Sequence, residues 1–411
     1  MNKDIFTLVS TYVNQLVTII VGILLIPLYI YYLGIEAYGL ISIFALIGIV
    51  LNNVDFGIFP SLNRALARFI AGEIELNKIK KILSSSEIFF TSITLIIFLL
   101  IFFSSDFIAY NWLQNKEIMD DEIIFSIKII SFWSVIKFYE NMYRQCLFGL
   151  HAQYDFNKIN IFINIFKGLL IIFVLKYISS TFIAYLYCQL ICILIAVIFL
   201  KIKLIEKIGN YKYFFDFKVI KGFLGFASGM FLVNVLGQIM LQGDKVILSK
   251  LLLFKEYGYY AFATLVAGGI FTLIAPISQL IIPRITTQIS LNKLLNNKST
   301  DIYNISIQFA SLVVSLYATL MLFYGYEIIF IWTQNEELTS KVTPIVQLLS
   351  IGNIFYVLST INMNFLQAIG KTKLMTYSLF FVSVIYFTFM FDFIENYGVI
   401  GVGYLWILVS F

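Results

Sequence analysis

Asn111-Trp112-Leu113-Gln114-Asn115-Lys116-Glu117-Ile118 reads again, 220 residues further on, as Ile331-Trp332-Thr333-Gln334-Asn335-Glu336-Glu337-Leu338. At the same offset Asn14 meets Asn234, Glu36 meets Glu256 and Arg64 meets Arg284. Four matches in one register, each at the same place in the succession of apolar runs, indicate two copies of one unit. The chain around them is apolar almost throughout. Of 411 residues 60% are hydrophobic and 12% charged, with a mean hydropathy of +0.92, against roughly 45–50% apolar and about 25% charged in soluble domains. A water-soluble globule is excluded, and the repeated unit is a membrane-spanning one.

Apolar runs long enough to cross a bilayer, about 17–25 residues, fall near 5–32, 38–60, 84–103, 123–149, 159–176, 181–200, 222–252, 258–279, 303–324, 343–367, 374–392 and 396–411. They are too long and continuous for tilted barrel strands, so the fold class is an all-α polytopic membrane protein with about twelve transmembrane helices. With six per copy, both lobes run in the same direction, 1–210 and 211–411, and are expected to enclose a central cavity as in an alternating-access carrier. The twelfth run reaches only about 16 residues before Phe411, short of a full span. Met1-Asn2-Lys3-Asp4 leads straight into the first run without a small-residue cleavage site, which marks a retained span.

Orientation follows from Lys and Arg. With the N-terminus in the cytoplasm, one side receives Lys3, Arg64, Arg68, Lys78, Lys80, Lys81, Lys158, Lys201, Lys203, Lys207, Lys212, Lys218, Lys221, Arg284, Lys293, Lys298, Lys371 and Lys373. Those eighteen stand against four on the other, Lys116, Lys176, Lys255 and Lys341. The net charge of +5 is thus a topological signal and implies no nucleic-acid partner.

Ionisable residues inside spans cost about 2.5–3.5 kcal/mol each at a helix centre and need a cavity, a partner or a function. Asp55 lies in the second span. The fourth carries Lys128, Lys137, Glu140 and Arg144, and Lys128 is expected to snorkel outward. Lys137, Glu140 and Arg144 stand at i, i+3 and i+7 on one face, with Glu140 and Arg144 spaced for an ion pair. That face is either a self-neutralising cluster or the wall of an anion-facing cavity with one spare cation. Lys167 lies near the middle of the fifth span. On the seventh, which also holds Asp244 and Lys250, Asn234, Gln238, Gln242 and Lys245 form a polar stripe. Amides alone could serve helix–helix hydrogen bonding, as could Asn14 and Gln15 in the first span and Asn353, Asn362, Asn364 and Gln367 in the tenth.

Catalytic and metal chemistry find little support. His151 is the single histidine, with no second His or Cys at ligand spacing, and Cys146, Cys188 and Cys192 sit within apolar runs, so neither a metal nor a disulfide framework is implied. No cofactor motif and no phosphate loop appear in the sequence. Asp120, Asp121 and Glu122 read as a solvated turn rather than an acid/base pair.

Pro27, Leu33-Gly34-Ile35-Glu36-Ala37-Tyr38-Gly39-Leu40, Asp55-Phe56-Gly57 and Arg64 resemble the Wzx-type polysaccharide flippases of the multidrug/oligosaccharidyl-lipid/polysaccharide exporter superfamily. Glu256-Tyr257-Gly258-Tyr259-Tyr260, Arg284 and Asp244 repeat the likeness more loosely. The sequence departs in Phe59-Pro60-Ser61 and in its short twelfth span. The resemblance implies a non-enzymatic carrier in the bacterial cytoplasmic membrane. Its cargo would be an undecaprenyl-pyrophosphate-linked oligosaccharide for O-antigen, lipopolysaccharide or capsule, with membrane lipid, an H+ or Na+ coupling ion and a polysaccharide polymerase as partners. Lys137, Arg144, Lys167, Lys245, Asn234 and Gln238 are then the candidate substrate contacts, and Asp55, Glu140, Arg64 and Asp244 the candidate coupling or gating residues. Two alternatives stand: an ion-coupled multidrug exporter, disfavoured because residues 5–32 hold no carboxylate, and a membrane polymerase or ligase, disfavoured by short loops.

Overall fold

The computed structural model describes the backbone of residues 2–52, 58–113, 120–292, 297–368 and 371–411. It describes their side chains except at 2–5, 7–8, 23, 49–52, 58, 60–61, 219–220, 222–234, 275–292, 297–299, 367–368 and 372. Hydrocarbon offers no partner for a backbone N–H or C=O, and apolar runs of this length satisfy both internally as helices. The helices are α1 Asn2–Asn52, α2 Ile58–Ile70, α3 Leu76–Phe103, α4 Ser105–Phe107 with a π-helical turn Ile108–Trp112, α5 Asp120–Gly149, α6 Gln153–Tyr177 and α7 Phe182–Ile208. They continue as α8 Phe217–Leu251, α9 Phe254–Asn292, α10 Asn297–Thr333, α11 Glu336–Ala368, α12 Thr372–Tyr397 and α13 Val399–Ser410.

Eight described helices are long and apolar enough to cross a membrane. Helix α5 is kept out of that set by its own charges, and α1 holds the first expected span and the second as far as Asn52, on either side of a kink. At the kink Gly34 has φ 85° and ψ 166°, a left-handed backbone that a side chain would strain. The break between α8 and α9 stands at the corresponding place 220 residues on, and α3, α5 and α6 are answered in the same way by α10, α11 and α12. The repeat seen in the loops is therefore a repeat of elements, and the chain is a two-lobed all-α membrane protein.

Two compact units separate, Met1–Phe231 with Leu248–Phe254, and Leu232–Ile247 with Lys255–Phe411. In the first, Leu62 and Leu66 of α2 are fully buried with Leu83 and Phe90 of α3, Met142 and Cys146 of α5 and Leu204 of α7. Helix α2 is amphipathic: its opposite face carries Arg64 and Arg68, both exposed, and Arg68 pairs with Glu73 at 2.7 Å. The expected twelve spans contained no such helix. Its short apolar stripe, broken by Asn63, Arg64 and Arg68, falls below the length that marks a span. Gly149 lets α5 approach it, because a Cβ there would lie 2.5 Å from the Asn63 carbonyl oxygen. In the second unit Ile270 and Ile274 of α9, Ala310 and Val314 of α10, and Val357 and Ile361 of α11 form the core. Asn353 ties that unit together, donating to the Ala267 carbonyl at 2.9 Å and accepting from the Trp406 indole at 3.0 Å.

The segment between α7 and α8 is fastened to α3. Ser84 and Ser85, fully buried, accept from the backbone N–H of Phe214 and Asp216 at 2.8 and 2.9 Å. Both hydroxyls donate to the Phe214 carbonyl. One turn on, Glu87 is buried in an ion pair with Lys201 and accepts from the Tyr211 hydroxyl at 2.7 Å. Burial, followed by the negative charge of Glu87, pushes the Tyr211 hydroxyl upward from its ordinary range, so Tyr211 stays a donor.

Candidate functional site

Helix α5 presents Lys137 and Glu140 on one face, and the two form an ion pair across a single turn. Glu140 is buried. The sequence spacing had suited Glu140 with Arg144. Among the described residues the ion pair of Glu140 is instead with Lys137, the shorter i, i+3 reach, and Arg144 stands half-buried one turn further along. Lys128 is half-buried and lies over the Phe102 ring at 5.4 Å, one residue before the end of α3.

A cavity of about 90 Å³ gathers Lys137 and Glu140 of α5, Asn160, Asn164 and Lys167 of α6, and Gln189 of α7. Trp133, Ile163, Cys192, Ile193 and Ala196 complete its wall. No carboxylate among the described residues lies within ion-pair distance of Lys167. Lys137 and Glu140 neutralise one another, which leaves the cavity one net positive charge. A second cavity of about 260 Å³ shares Trp133, Lys137 and Gln189 with the first and is otherwise largely apolar. Ile41, Phe44 and Gly48 of α1, Ile129 and Ile130 of α5, and Tyr185 and Leu186 of α7 line it. Lys137 and Gln189 thus border both a polar and an apolar compartment, whereas Arg144 lines neither.

The polar wall is built by an amide ladder between α1 and α6. Asn157 donates to Ser10 and Thr11 at 3.0 Å each, Asn14 donates to Asn157 at 3.2 Å, Asn160 to Asn14 at 2.8 Å and Asn164 to Thr18 at 2.9 Å. Gly168 brings the helices close enough, as a Cβ there would meet Leu25 at 3.2 Å. Asn14 is a rung of this ladder. Asn157, Asn160 and Asn164 were not singled out by the sequence reading, although their i, i+3, i+7 spacing on one face was the available signal. Glu87 was also missed, a lone acid just inside the third apolar run.

In the second unit Asp244 is buried. One carboxylate oxygen accepts from Tyr260, and the other, Oδ1, is buried without a hydrogen-bond partner among the described residues. Asp244 and Lys245 line a small cavity of about 60 Å³ with Thr264, Asn353, Tyr386 and Trp406. Lys245 donates to Gln242 at 2.9 Å and to the Leu241 carbonyl at 3.2 Å. It therefore does not neutralise Asp244. The Gln238 Oε1 is buried and unpartnered among the described residues. Asn362 accepts from Tyr303 at 2.5 Å, a packing role. Asp55 and the Asn234 and Gln367 side chains lie outside the described residues.

A lysine ammonium bonds phosphate or carboxylate as a point charge, and amides bond hydroxyls in either sense. The first unit therefore offers a cationic, amide-rich compartment beside an apolar one, and the second a buried acid. Comparison with known proteins agrees with a carrier. The sequence pattern of the family described as "Polysaccharide biosynthesis protein" matches residues 5–289, and that of MatE matches 296–393. A Shigella flexneri protein named "Putative O-antigen transporter" is 24% identical over 394 residues, 91% of this chain and 87% of that protein. Among solved structures, the lipid II flippase MurJ in an inward closed conformation superposes with a TM-score of 0.72 at 19% identity, over 99% of this chain and 85% of that one. A MOP superfamily transporter from Pyrococcus furiosus gives 0.66 at 11% identity, over 98% and 93%. With more than half its length inside one family pattern, the chain belongs to the polysaccharide biosynthesis protein family, Wzx-type members of the multidrug/oligosaccharidyl-lipid/polysaccharide exporter superfamily.

Proposed function

We propose that the chain is a flippase that moves an undecaprenyl-pyrophosphate-linked oligosaccharide repeat unit across the bacterial cytoplasmic membrane, N-terminus inside, for O-antigen or capsule assembly. The observation that carries the proposal is Lys167, a cation without a carboxylate partner among the described residues, at a cavity that already contains a neutral Lys137–Glu140 pair. A lysine at membrane depth that faces a cavity marks a functional site. Pyrophosphate or an acidic sugar is an anion that Lys167 would hold, and Asn160, Asn164 and Gln189 supply donors and acceptors for glycan hydroxyls. The apolar compartment beside them suits the first part of a lipid tail. The family and the O-antigen transporter relative support a lipid-linked substrate. In this scheme Arg144, Lys245, Asn234 and Gln238 are secondary contacts, Asp55, Arg64 and Glu140 gate, and a polysaccharide polymerase receives the product.

Transport against a gradient needs an energy input. Asp244 supports coupling to H+ or Na+, because its Oδ1 is a buried acceptor with no donor among the described residues. The MatE match over 296–393 favours one second reading, a drug exporter for organic cations, which the positive balance around Lys167 opposes.

The test replaces Lys167 with Gln. No carboxylate among the described residues pairs with this lysine, so its loss strands none of them, and the protein is expected to insert at wild-type levels while surface polymer falls at least tenfold. Normal polymer with Lys167→Gln at normal protein level would overturn the proposal.

A further inference from the structure

We propose that the strap between α7 and α8, residues 211–218, together with Lys80 and Lys81 of α3, is a binding surface for anionic phospholipid headgroups. Four large aromatics stand out from this short stretch: Tyr213 is 68% exposed, Phe214 55%, Phe215 43% and Phe217 60%. Irregular backbone bearing adjacent aromatics would ordinarily turn them inward. Here the backbone is held from behind, by Ser84 and Ser85 on Phe214 and Asp216 and by Glu87 on Tyr211, so that the rings are displayed outward. An exposed apolar patch of this kind marks an interaction surface, and Tyr and Phe at the ends of spans suit the headgroup level.

Charge specifies the occupant. Lys212, Lys218 and Lys221 are exposed on the strap and the first turn of α8. Lys81 lies over the Phe214 ring at 5.8 Å, and Lys80 reaches to 3.4 Å from where a Cβ on Gly209 would stand. None of these five is in an ion pair among the described residues, whereas nearby Lys203 and Lys207 are neutralised by Glu206 and Asp155. The one acid within the strap, Asp216, caps α8 by accepting from the Lys218 backbone N–H at 2.9 Å, and its single negative charge leaves the five lysines a net excess of four. Rings that enter the interface, rimmed by five unneutralised lysines, match a phospholipid whose headgroup carries net negative charge. A zwitterionic lipid would use the rings and leave the lysines idle. Since unit 1 contains every group involved, the inference is independent of the transported substrate.

The full chain in neutral detergent, offered equal phosphatidylglycerol and phosphatidylcholine, should retain phosphatidylglycerol selectively by native mass spectrometry. Each lysine at an anionic surface contributes about fivefold. The triple change Lys212→Gln, Lys218→Gln, Lys221→Gln is therefore expected to lower phosphatidylglycerol retention by at least tenfold and leave phosphatidylcholine unchanged. Lys80→Gln with Lys81→Gln, on a different element, should give a smaller loss of the same kind and guards against a folding defect in the triple variant. Lys371→Gln with Lys373→Gln should have no effect. An unchanged lipid ratio in both strap variants, an equal loss from the Lys371/Lys373 control, or complete displacement of the lipid by inorganic phosphate would each overturn the proposal.

Discussion

Lys137 and Lys167 differ in what their removal leaves behind, and that difference separates binding from packing. Lys137→Gln strands the buried Glu140 beside one remaining lysine. Breaking a buried pair costs about 3–5 kcal/mol, so the single variant is expected to lose stability, seen as a fall in the detergent unfolding midpoint. Adding Glu140→Gln removes the stranded charge and should recover most of that loss. Polymer export then reports separately. If the double variant folds but does not export while Glu140→Gln alone does, Lys137 holds substrate as well as balancing charge. Restored export would assign Lys137 to balance alone and leave Lys167 as the anion contact. Gly149 makes a purely structural control. Gly149→Ala drives a Cβ against the Asn63 carbonyl, and overpacking of this kind costs about 1–3 kcal/mol while leaving the cavity chemistry intact.

Among the elements, α5 and α6 build the site and α2 was hidden. The charges of α5 were legible because each costs energy against lipid, and Lys137 and Glu140, read from the sequence as one face of that helix, line a cavity together with Lys167 of α6. Which acid paired with which base was not legible, since i, i+3 and i, i+4 partners are equally allowed by spacing and the rotamers decide. The Asn157–Asn160–Asn164 ladder escaped because an asparagine among apolar residues carries no cost large enough to stand out, about 0.6 kcal/mol per hydrogen-bonded pair in membrane helices. Asn157 nevertheless joins three partners on α1, Ser10, Thr11 and Asn14. Asn157→Leu should therefore destabilise by roughly 1–2 kcal/mol on that scale. It should also shift Asn160 enough to weaken export. A variant with wild-type stability would show that the ladder is incidental to the α1–α6 contact.

Across the molecule, the repeat at 220 residues was the most informative feature, because four matches in one register implied two copies of one unit, and α3, α5 and α6 stand at that offset from α10, α11 and α12. The same symmetry makes the two lobes chemically unlike in an informative way. The cavity built by α5, α6 and α7 gathers cations and amides, and the one at α8 and α9 gathers a buried acid. Orientation rests on a different argument, the partition of eighteen loop cations against four, and it sets the direction in which a substrate would travel. Single cysteines test it on a quiet background, since Cys146, Cys188 and Cys192 are all buried. Glu336 is the better outer position than Asn335, whose side chain accepts from the Leu338 backbone N–H at 3.0 Å and caps α11. Lys78, exposed at the start of α3, serves for the inner side. A membrane-impermeant maleimide applied to intact cells should mark Glu336→Cys and spare Lys78→Cys, and both should react after lysis. Labelling of Lys78→Cys in intact cells would invert the topology, and the proposed export from inside to outside would fall with it.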